Sequence, residues 1–234
     1  MGKFMTCHNY RGKGYATFEG FLDQVNLGRN PGHAYVPRFR NVYRQETDFL
    51  RGYAIGMSAS RQVEGNGDLV GDALREKLLH PTYGMWGMAA WMQGEMVPEE
   101  SNHLRLSKNE KDKYGIPKLI LSVEWKENDN KMTRDFIEQQ TEMYERMGFK
   151  NIKVEDTGAP PGSDIHEMGG VRMGRDPKTS LLNEFNQLHA CKNVFVSDGA
   201  CMTSGSTQNP TLTFMTLTAR AANHAVEELN KGNL

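Results

Sequence analysis

The sequence lacks the features that mark several common classes of protein. Its 28 Lys and Arg residues are balanced by 29 Asp and Glu residues, so no net field favours nucleic acid or an anionic membrane as a partner. Apolar runs stay below the roughly 18 to 20 residues of a membrane span, and the first residues lack the apolar core of a signal peptide. We therefore expect a soluble protein, cytoplasmic or periplasmic, with a small substrate and no nucleic-acid partner.

Cysteine and histidine are too sparse and too irregularly spaced to predict a disulfide framework or a metal centre. Cys7, Cys191 and Cys201 have no CxxC spacing, so they are most simply reduced, with a Cys191–Cys201 pair as the alternative. His166 is followed by Glu but not by the second histidine of an HExxH motif, and the other histidines show no ligand spacing. We expect no metal.

A complete dinucleotide-binding motif is also missing. Gly12-Lys-Gly14 begins like one, but Thr17 stands where the third glycine belongs and no predicted strand leads into it. We interpret this segment as an unrelated Gly-x-Gly. Nothing else in the chain reads as a site for a nucleotide pyrophosphate.

The patterns that are present predict an α+β fold. Aromatic and apolar residues alternate through the first sixty positions, between turn residues, which indicates short strands of an antiparallel sheet. A β-rich segment at 119–125 predicts another strand. Apolar spacing predicts helices at 69–79 and 133–147, the second ending at Gly148 in a left-handed cap.

A Gly- and Pro-rich break at 158–162 divides the predicted elements. We expect a substrate-binding domain over residues 1–157 and a separate C-terminal segment over 158–234. That segment contains a predicted buried strand at 193–198 and a long helix at 210–229, capped by Asn209 and with Pro210 in its first turn. The predicted packed stripe of the helix comprises Leu212, Met215, Ala219, Ala222, Val226 and Leu229.

Three places in this C-terminal segment combine polar groups with permissive backbone. His166 precedes Gly169 and Gly170, which would let the backbone pass close to a flat ligand. Asn209 is either a helix cap alone or part of a helix start that stabilises a partial negative charge. Asp198-Gly199 is either a plain turn or a place where backbone N–H groups meet a phosphate.

Segments 166–174, 193–199 and 208–213, in this order and spacing, resemble the C-terminal signature of the glucose-methanol-choline (GMC) oxidoreductases. They are most similar to the branch of pyranose oxidases and sugar or gluconate dehydrogenases, whose motif resembles H-x-x-G-G-x-x-R-M-G followed by a terminal N-P-T-L-T. Segments 95–98 and 112–117 resemble the middle of the same family. The resemblance implies FAD as cofactor and a sugar or polyol as substrate.

The resemblance also implies roles for individual residues. His166 would accept the substrate hydroxyl proton while hydride passes from the carbinol carbon to flavin N5, and Asn209 would hydrogen-bond the same oxygen. An imidazole has a pKa suited to that exchange near neutrality, whereas an amide can position the oxygen without competing for the proton. Residues implied to contact FAD are Asp198, Gly199, Asn209, Pro210, Thr211 and Leu212.

The implied fold is an antiparallel substrate-domain sheet backed by helices, followed by a C-terminal strand and helix. In the family these last two belong to a Rossmann-like FAD domain that opens with a Gly-rich turn, and this chain has no counterpart of that turn. We therefore expect a C-terminal part of a larger enzyme, with an uncovered apolar face on its last helix. Its expected partner is the missing N-terminal FAD-binding half or a complementing chain.

Two alternatives from other classes stay open. In the first, the chain is a non-catalytic binding module that keeps the family shape. In the second, it is one subunit of a heteromeric, membrane-associated dehydrogenase that passes electrons to an acceptor subunit. A further group of residues predicts either a polar substrate cavity or a solvated sheet face. This group comprises Arg38, Arg40, Arg51, Tyr35, Phe39, Tyr43 and Tyr53.

Overall fold

A computed structural model describes residues 1–25, 33–65, 67–163 and 165–234. Asp164, just before His166, and part of the predicted N-terminal strand region lie outside these residues. The strands are β1 (Lys3–Thr6), β2 (His8–Asn9), β3 (Gly12–Phe18), β4 (Ala34–Val36), β5 (Tyr53–Val63), β6 (Tyr83–Glu95), β7 (His103–Lys111), β8 (Pro117–Ser122), β9 (Lys150–Asp156), β10 (Met168–Gly170), β11 (Gln187–Leu188) and β12 (Cys191–Phe195). The helices are α1 (Gly71–Leu79), α2 (Glu127–Arg146), α3 (Thr211–Asn230) and a short 3₁₀ turn, η1 (Gly199–Cys201).

The largest sheet has six strands in the order β4-β5-β6-β3-β9, with β2 pairing alongside β6. Every pairing in it is antiparallel. Together with α2 on one face, this sheet confirms the predicted α+β class and the predicted antiparallel sheet backed by a helix. The predicted strand over 119–125 forms as β8, shifted toward its N-terminus, and α1 begins two residues later than predicted.

Helix α2 covers one face of the large sheet and contributes three of the nine buried residues of the core cluster. Phe136 and Tyr144, both predicted on its apolar face, are fully buried against strand residues of the large sheet, whereas Met147 is exposed. The helix begins at Glu127, earlier than the predicted Thr133, because the Asp129 side chain accepts the Lys126 backbone N–H at 2.9 Å. Polar residues fill that first turn, so the apolar periodicity starts later than the helix itself.

The glycines of the Gly12-Lys-Gly14 segment lie in β3 and face α2. A Cβ added to Gly12 would lie 2.4 Å from the Phe136 ring, and one added to Gly14 would lie 3.2 Å from Tyr144. These glycines therefore let the helix approach the sheet closely. The segment is a strand, which agrees with its interpretation as something other than a dinucleotide-binding turn.

A second sheet joins the N-terminal strand β1 to the segment that follows His166. Its strand order is β10-β1-β7-β8, with Lys3 opposite Gly170 and Thr6 opposite Met168. Gly169 has φ of 91°, and a Cβ there would lie 2.2 Å from the Phe4 carbonyl oxygen. The glycines after His166 therefore permit close packing of β1 on β10, which differs from the predicted reason, the approach of a flat ligand.

Helix α3 forms within one residue of its predicted bounds but packs through a different face. Phe214, Leu217 and Ala221 lie on its packed side, and the ring of His224 stacks on Phe185 with centroids 3.9 Å apart. All six residues of the predicted stripe, Leu212, Met215, Ala219, Ala222, Val226 and Leu229, are exposed. The stripe prediction is wrong because α3 is apolar on both sides, while the expectation of an uncovered apolar face on this chain is confirmed.

Two further expectations about the C-terminal region need correction. The predicted buried strand is β12, and its residues Cys191 to Val194 are exposed. Cys191 and Cys201 are both free thiols, so the alternative of a disulfide between them is wrong. Among the helices described, none combines the length and apolarity that a bilayer crossing demands.

Candidate active site

His166 lies just before β10 and is held by two side chains from the start of the chain. Its backbone has φ of 75°, a left-handed conformation that is uncommon outside glycine. Its Nδ1 atom lies 2.9 Å from Nδ1 of His8 and 3.3 Å from the Tyr10 hydroxyl oxygen. The imidazole is partly exposed, so it has access to solvent or substrate while its inner edge is fixed.

Strand β2 aims His8 at this site because successive side chains alternate across a strand. Asn9 points toward α2 and donates through Nδ2 to Thr133 Oγ1 at 3.0 Å. His8 therefore faces the opposite side of the sheet, where it is 2% exposed. Its Nε2 lies 3.4 Å from the carbonyl oxygen of Gly205 in the loop that leads to α3.

The amide of Asn209 is bound to the same sheet. Its Oδ1 accepts a hydrogen bond from Gln93 Nε2 at 2.9 Å. The residue at the N-cap position of α3 is Pro210, and no side chain caps the helix among the described residues. The prediction that Asn209 caps α3 is therefore wrong: its side chain turns to β6 instead, and Pro210 precedes the first turn instead of occupying it.

His166 and Asn209 are brought over one face of the sheet through their partners. His8 lies opposite Glu95 on β6, and residues opposite each other in an antiparallel pair share a face. Gln93 is two residues before Glu95, so its side chain emerges on that same face. The imidazole and the carboxamide predicted to act together are thus each anchored to neighbouring positions on one surface.

The loop before α3 is fixed to the end of β4. The Tyr35 hydroxyl lies 3.1 Å from the Thr207 carbonyl oxygen and 3.3 Å from Gln93 Oε1. Thr207 Oγ1 donates to the Pro37 carbonyl at 3.0 Å, and the Gln208 side chain donates to the same oxygen. These contacts set the height of Asn209 above the sheet.

The remaining predicted cofactor contacts lie at the junction of η1 and α3. Asp198 Oδ1 accepts the Ala200 backbone N–H at 2.9 Å and so caps η1. A Cβ on Gly199 would lie 2.7 Å from the Glu167 carbonyl oxygen and 3.0 Å from the Phe214 ring. Gly199 therefore packs the His166 segment against the start of α3, where Thr211 and Leu212 are exposed.

The histidine pair is electrostatically tuned toward neutrality. Burial, and then the proximity of His166, lower the pKa of His8 to about 4. Burial also lowers the pKa of His166, and the nearby Glu167 carboxylate offsets part of that effect. Both rings are therefore neutral near pH 7, which leaves His166 able to accept a proton.

The predicted polar cavity of arginines and aromatics does not form as a unit. Arg40 pairs with Asp135 of α2 at 3.0 Å, and Tyr53 is buried in the core and donates to the same carboxylate at 2.6 Å. Tyr43 is 99% exposed. Of the predicted group, Tyr35 contacts the site through Gln93, and Arg51 lies 3.6 Å from the buried Glu95 carboxylate on the same strand.

Sequence reasoning missed His8, Tyr10 and Gln93. His8 lies 158 residues from His166, and Gln93 lies 116 residues from Asn209, so no local spacing connects them. One signal was available: Gln93 and Glu95 are polar alternate positions at the end of a strand that is otherwise largely apolar, and both are 2% exposed. Buried polar side chains on one strand face call for partners and so mark a site.

A metal centre finds no support in the same region. Across the described ranges, no group of three or more His, Cys, Asp or Glu side chains is arranged to hold a metal ion.

Comparisons with known proteins identify the family to which the chain is similar. Residues 98–218 match the family model described as GMC oxidoreductase. The chain is 34% identical to 2-methyl-1,2-propanediol dehydrogenase of Mycolicibacterium austroafricanum over 140 residues, which is 58% of this chain and 25% of that protein. It is 30% identical to the fructose dehydrogenase large subunit of Gluconobacter japonicus over 164 residues, 70% of this chain and 29% of that protein.

A solved structure shows the same fold at lower sequence similarity. The chain superposes on the crystal structure of pyridoxine 4-oxidase from Mesorbium loti with a TM-score of 0.56 and 14% identity, over 97% of this chain and 43% of that one. The chain thus spans about a quarter of the length of the curated relatives described above. On its family-model match, which covers more than half of its residues, the chain belongs to the GMC oxidoreductases.

Proposed function

We propose that this chain supplies the proton-accepting and substrate-positioning residues for FAD-dependent oxidation of a CH–OH group, in a sugar or polyol. The observation that carries the proposal is the placement of His166 and Asn209 over one sheet face, each anchored by a buried side chain of that face. A hydroxyl oxygen bound between an imidazole and a carboxamide can lose its proton to one while it is oriented by the other.

His166 is the base in this proposal. Its Nδ1 edge is engaged by His8 and Tyr10, so Nε2 is the nitrogen left for substrate. The lowered pKa keeps the ring neutral at pH 7, the form that accepts a proton. Removal of the hydroxyl proton raises the electron density on the carbinol carbon and so assists departure of hydride.

Asn209 positions the hydroxyl. Because its Oδ1 accepts from Gln93, its Nδ2 hydrogens are the ones available to the substrate oxygen. Such donors stabilise the negative charge that develops on oxygen as the proton leaves. The buried Gln93 fixes the orientation of the amide, so that the donor side faces the substrate.

The start of α3 fits one edge of FAD. The backbone N–H groups of its first turn have no carbonyl four residues earlier within the helix, and Thr211 and Leu212 are exposed. Such a helix start favours a partial negative charge, and Pro210, Asp198 and Gly199 lie beside it in sequence or structure. FAD, when bound, would supply the acceptor for the hydride at flavin N5.

The part of FAD beyond this edge needs further polypeptide in our proposal. The chain covers 25% and 29% of the two relatives' lengths, and α3 leaves Leu212, Met215, Val226 and Leu229 exposed. We propose that a Rossmann-like FAD-binding half with a GxGxxG turn covers that face. In this arrangement residues 1–157 form the substrate-binding domain, and residues 158–234 form the catalytic segment, whose strand and helix complete the FAD domain.

The sugar or polyol class is favoured by the names of the relatives, a propanediol dehydrogenase and a fructose dehydrogenase subunit. The site face also carries Tyr35, Gln93 and the ring of Trp91, which lies over Gly56. Aromatic surface beside amide groups suits a ligand with both C–H faces and hydroxyl groups. Because one relative is a large subunit, a separate electron-acceptor subunit is a second proposal for the assembled enzyme.

The test is to co-express residues 1–234 with a polypeptide that carries the GxGxxG half of a relative, and to measure anaerobic flavin bleaching by a panel of sugars and polyols. His166→Ala is expected to slow bleaching by about 10² to 10⁴ without loss of flavin. The control His80→Ala, at an exposed histidine, should change nothing. Bleaching by no substrate, or equal rates for His166→Ala and the parent, would instead support the non-catalytic binding module.

A further inference from the structure

The two imidazole rings at the site meet through the same kind of atom. Nδ1 of His8 lies 2.9 Å from Nδ1 of His166, and the rings are edge to face at 78°. A hydrogen bond across this distance needs one nitrogen with a proton and one with a lone pair. Two bare nitrogens or two N–H groups would repel each other, so the contact imposes opposite Nδ1 states on the two residues.

The Gly205 carbonyl determines which ring donates. A carbonyl oxygen can only accept, and it lies 3.4 Å from His8 Nε2, so that nitrogen is the one that carries a proton. A second proton on His8 would create a buried cation beside another imidazole, and burial together with His166 lowers the pKa of His8 to about 4. A neutral His8 with its proton on Nε2 has a lone pair on Nδ1.

We propose that His8 is a positioning residue that holds His166 in the tautomer with its proton on Nδ1, which leaves the Nε2 lone pair directed to substrate. In this arrangement His166 Nδ1–H donates a hydrogen bond to His8 Nδ1, and His8 Nε2–H donates one to the Gly205 carbonyl. The tautomer follows from these contacts alone, whereas its use for proton abstraction rests on the proposed function.

The Tyr10 hydroxyl competes for the same edge of His166. Its hydroxyl oxygen is 3.3 Å from His166 Nδ1, and if it donated there it would favour the opposite tautomer. The His8 contact is shorter by several tenths of an ångström, and a hydroxyl can accept as well as donate. Tyr10 therefore takes a minor share of the same N–H.

A neutral partner differs from a carboxylate in what it does to the base. A carboxylate at this place would stabilise the imidazolium and raise the pKa of His166. A neutral His8 fixes the tautomer without adding negative charge, so His166 gives its proton up again readily. This property suits a base that has to be reset in every turnover.

The test is long-range ¹H–¹⁵N NMR of residues 1–234 labelled at histidine, with His166 assigned by His166→Gln. The expected result at pH 7 is a proton on Nδ1 of His166 and on Nε2 of His8. His8→Asn keeps an acceptor oxygen at the place of Nδ1 and should preserve the tautomer of His166. His8→Gln keeps a donor toward Gly205 but loses that acceptor, so His166 should move to the Nε2–H form.

Tyr10→Phe is the matched control and should leave the tautomer unchanged. A proton on Nε2 of His166 in the parent chain overturns the inference, and that spectrum decides even if His8→Gln fails to fold. In the complemented enzyme, His8→Gln should lower kcat about 10- to 100-fold, less than removal of the base itself, and His8→Asn should restore most of it. If His166→Ala proves harmless while the tautomers are as expected, the proposed function fails and the positioning contact stands.

Discussion

Helices α2 and α3 have the same length of 20 residues but very different surroundings. Six residues of α2 are buried, among them Met132, Phe136 and Tyr144, whereas Ala221 is the single buried residue of α3. Helix α2 packs against a six-stranded sheet, and α3 packs against a two-stranded one and the loops beside it. The difference shows that the sheet half of the molecule completes its own core, whereas the C-terminal helix leaves an apolar face exposed.

The strongest way to test this comparison is to truncate one apolar side chain on each helix. Phe136→Ala removes a fully buried ring that touches Gly12, and we expect a loss of about 3 to 5 kcal/mol in the free energy of unfolding. Leu212→Ala removes a side chain that is 76% exposed, so its effect should stay within about 0.5 kcal/mol. Urea denaturation followed by circular dichroism gives both values, and equal losses would show that the two helices do not differ in packing.

His8 joins the two regions, and its titration tests how firmly they are joined. Its pKa in the folded chain, about 4, is below the ordinary 6.5, so the unfolded chain binds the proton more readily between these values. The contribution of His8 to the free energy of unfolding is therefore fully present above about pH 6.5, and it is lost as the pH falls toward 4. The difference corresponds to about 3 kcal/mol.

The measurement is the free energy of unfolding from pH 7 to pH 4 for the parent and for His8→Asn, which should lack this loss. Asp129 acts in the opposite direction, because burial raises its pKa to about 6 from 3.8, so its contribution is lost as the pH rises through that range. Asp129→Asn should therefore steepen the acid loss of the parent chain. The same profile in parent and His8→Asn would contradict the assigned burial of His8.

The two regions should also differ, by a smaller amount of free energy, in how easily they accommodate an added methyl group. Gly12→Ala places a Cβ 2.4 Å from the Phe136 ring inside the core, and we expect a cost of about 1 to 3 kcal/mol. Gly199→Ala creates a clash at 2.7 Å with the Glu167 carbonyl and at 3.0 Å with Phe214 of α3. Helix α3 buries little and can shift away from the Phe214 contact, and the Glu167 carbonyl belongs to an exposed residue outside any strand, so the cost should be below that of Gly12→Ala.

Gly65→Ala is the reference for this pair, since a Cβ at that position meets nothing within 4 Å. Thermal or urea unfolding of the three variants ranks them directly. A larger loss for Gly199→Ala than for Gly12→Ala would mean that the C-terminal region is the more rigid one.

The sequence predicted where α2 and α3 lie along the chain better than it predicted which of their residues are buried. For α2, one apolar face is clear, and Phe136 and Tyr144 are indeed buried. For α3, apolar residues occur on both sides, so periodicity cannot tell which side finds a partner. The structure packs Phe214 and Leu217 and exposes Leu212 and Met215. This choice depends on tertiary contacts, such as Phe214 beside Gly199 and His224 on Phe185.

The residues of the candidate site likewise fall into those that local motifs predicted and those that only the fold reveals. His166 and Asn209 were predicted from contiguous motifs, and whether they act as proposed remains a prediction. His8 and Gln93 belong to strands far away in sequence, and their roles arise from β2 lying beside β6. The capping prediction for Asn209 failed because a buried glutamine across the sheet was the stronger partner for its amide.

The pairing of β1 with β10 has a kinetic consequence. It links Lys3 to Gly170, so the chain must close a very long loop before the edge of His166 meets its partners, and contacts of such sequence separation form slowly. The β5–β6 pair can assemble earlier, because these two strands are consecutive along the chain. We therefore expect the imidazole pair to be among the last contacts to appear during refolding, after the core around α2 is already protected from solvent exchange.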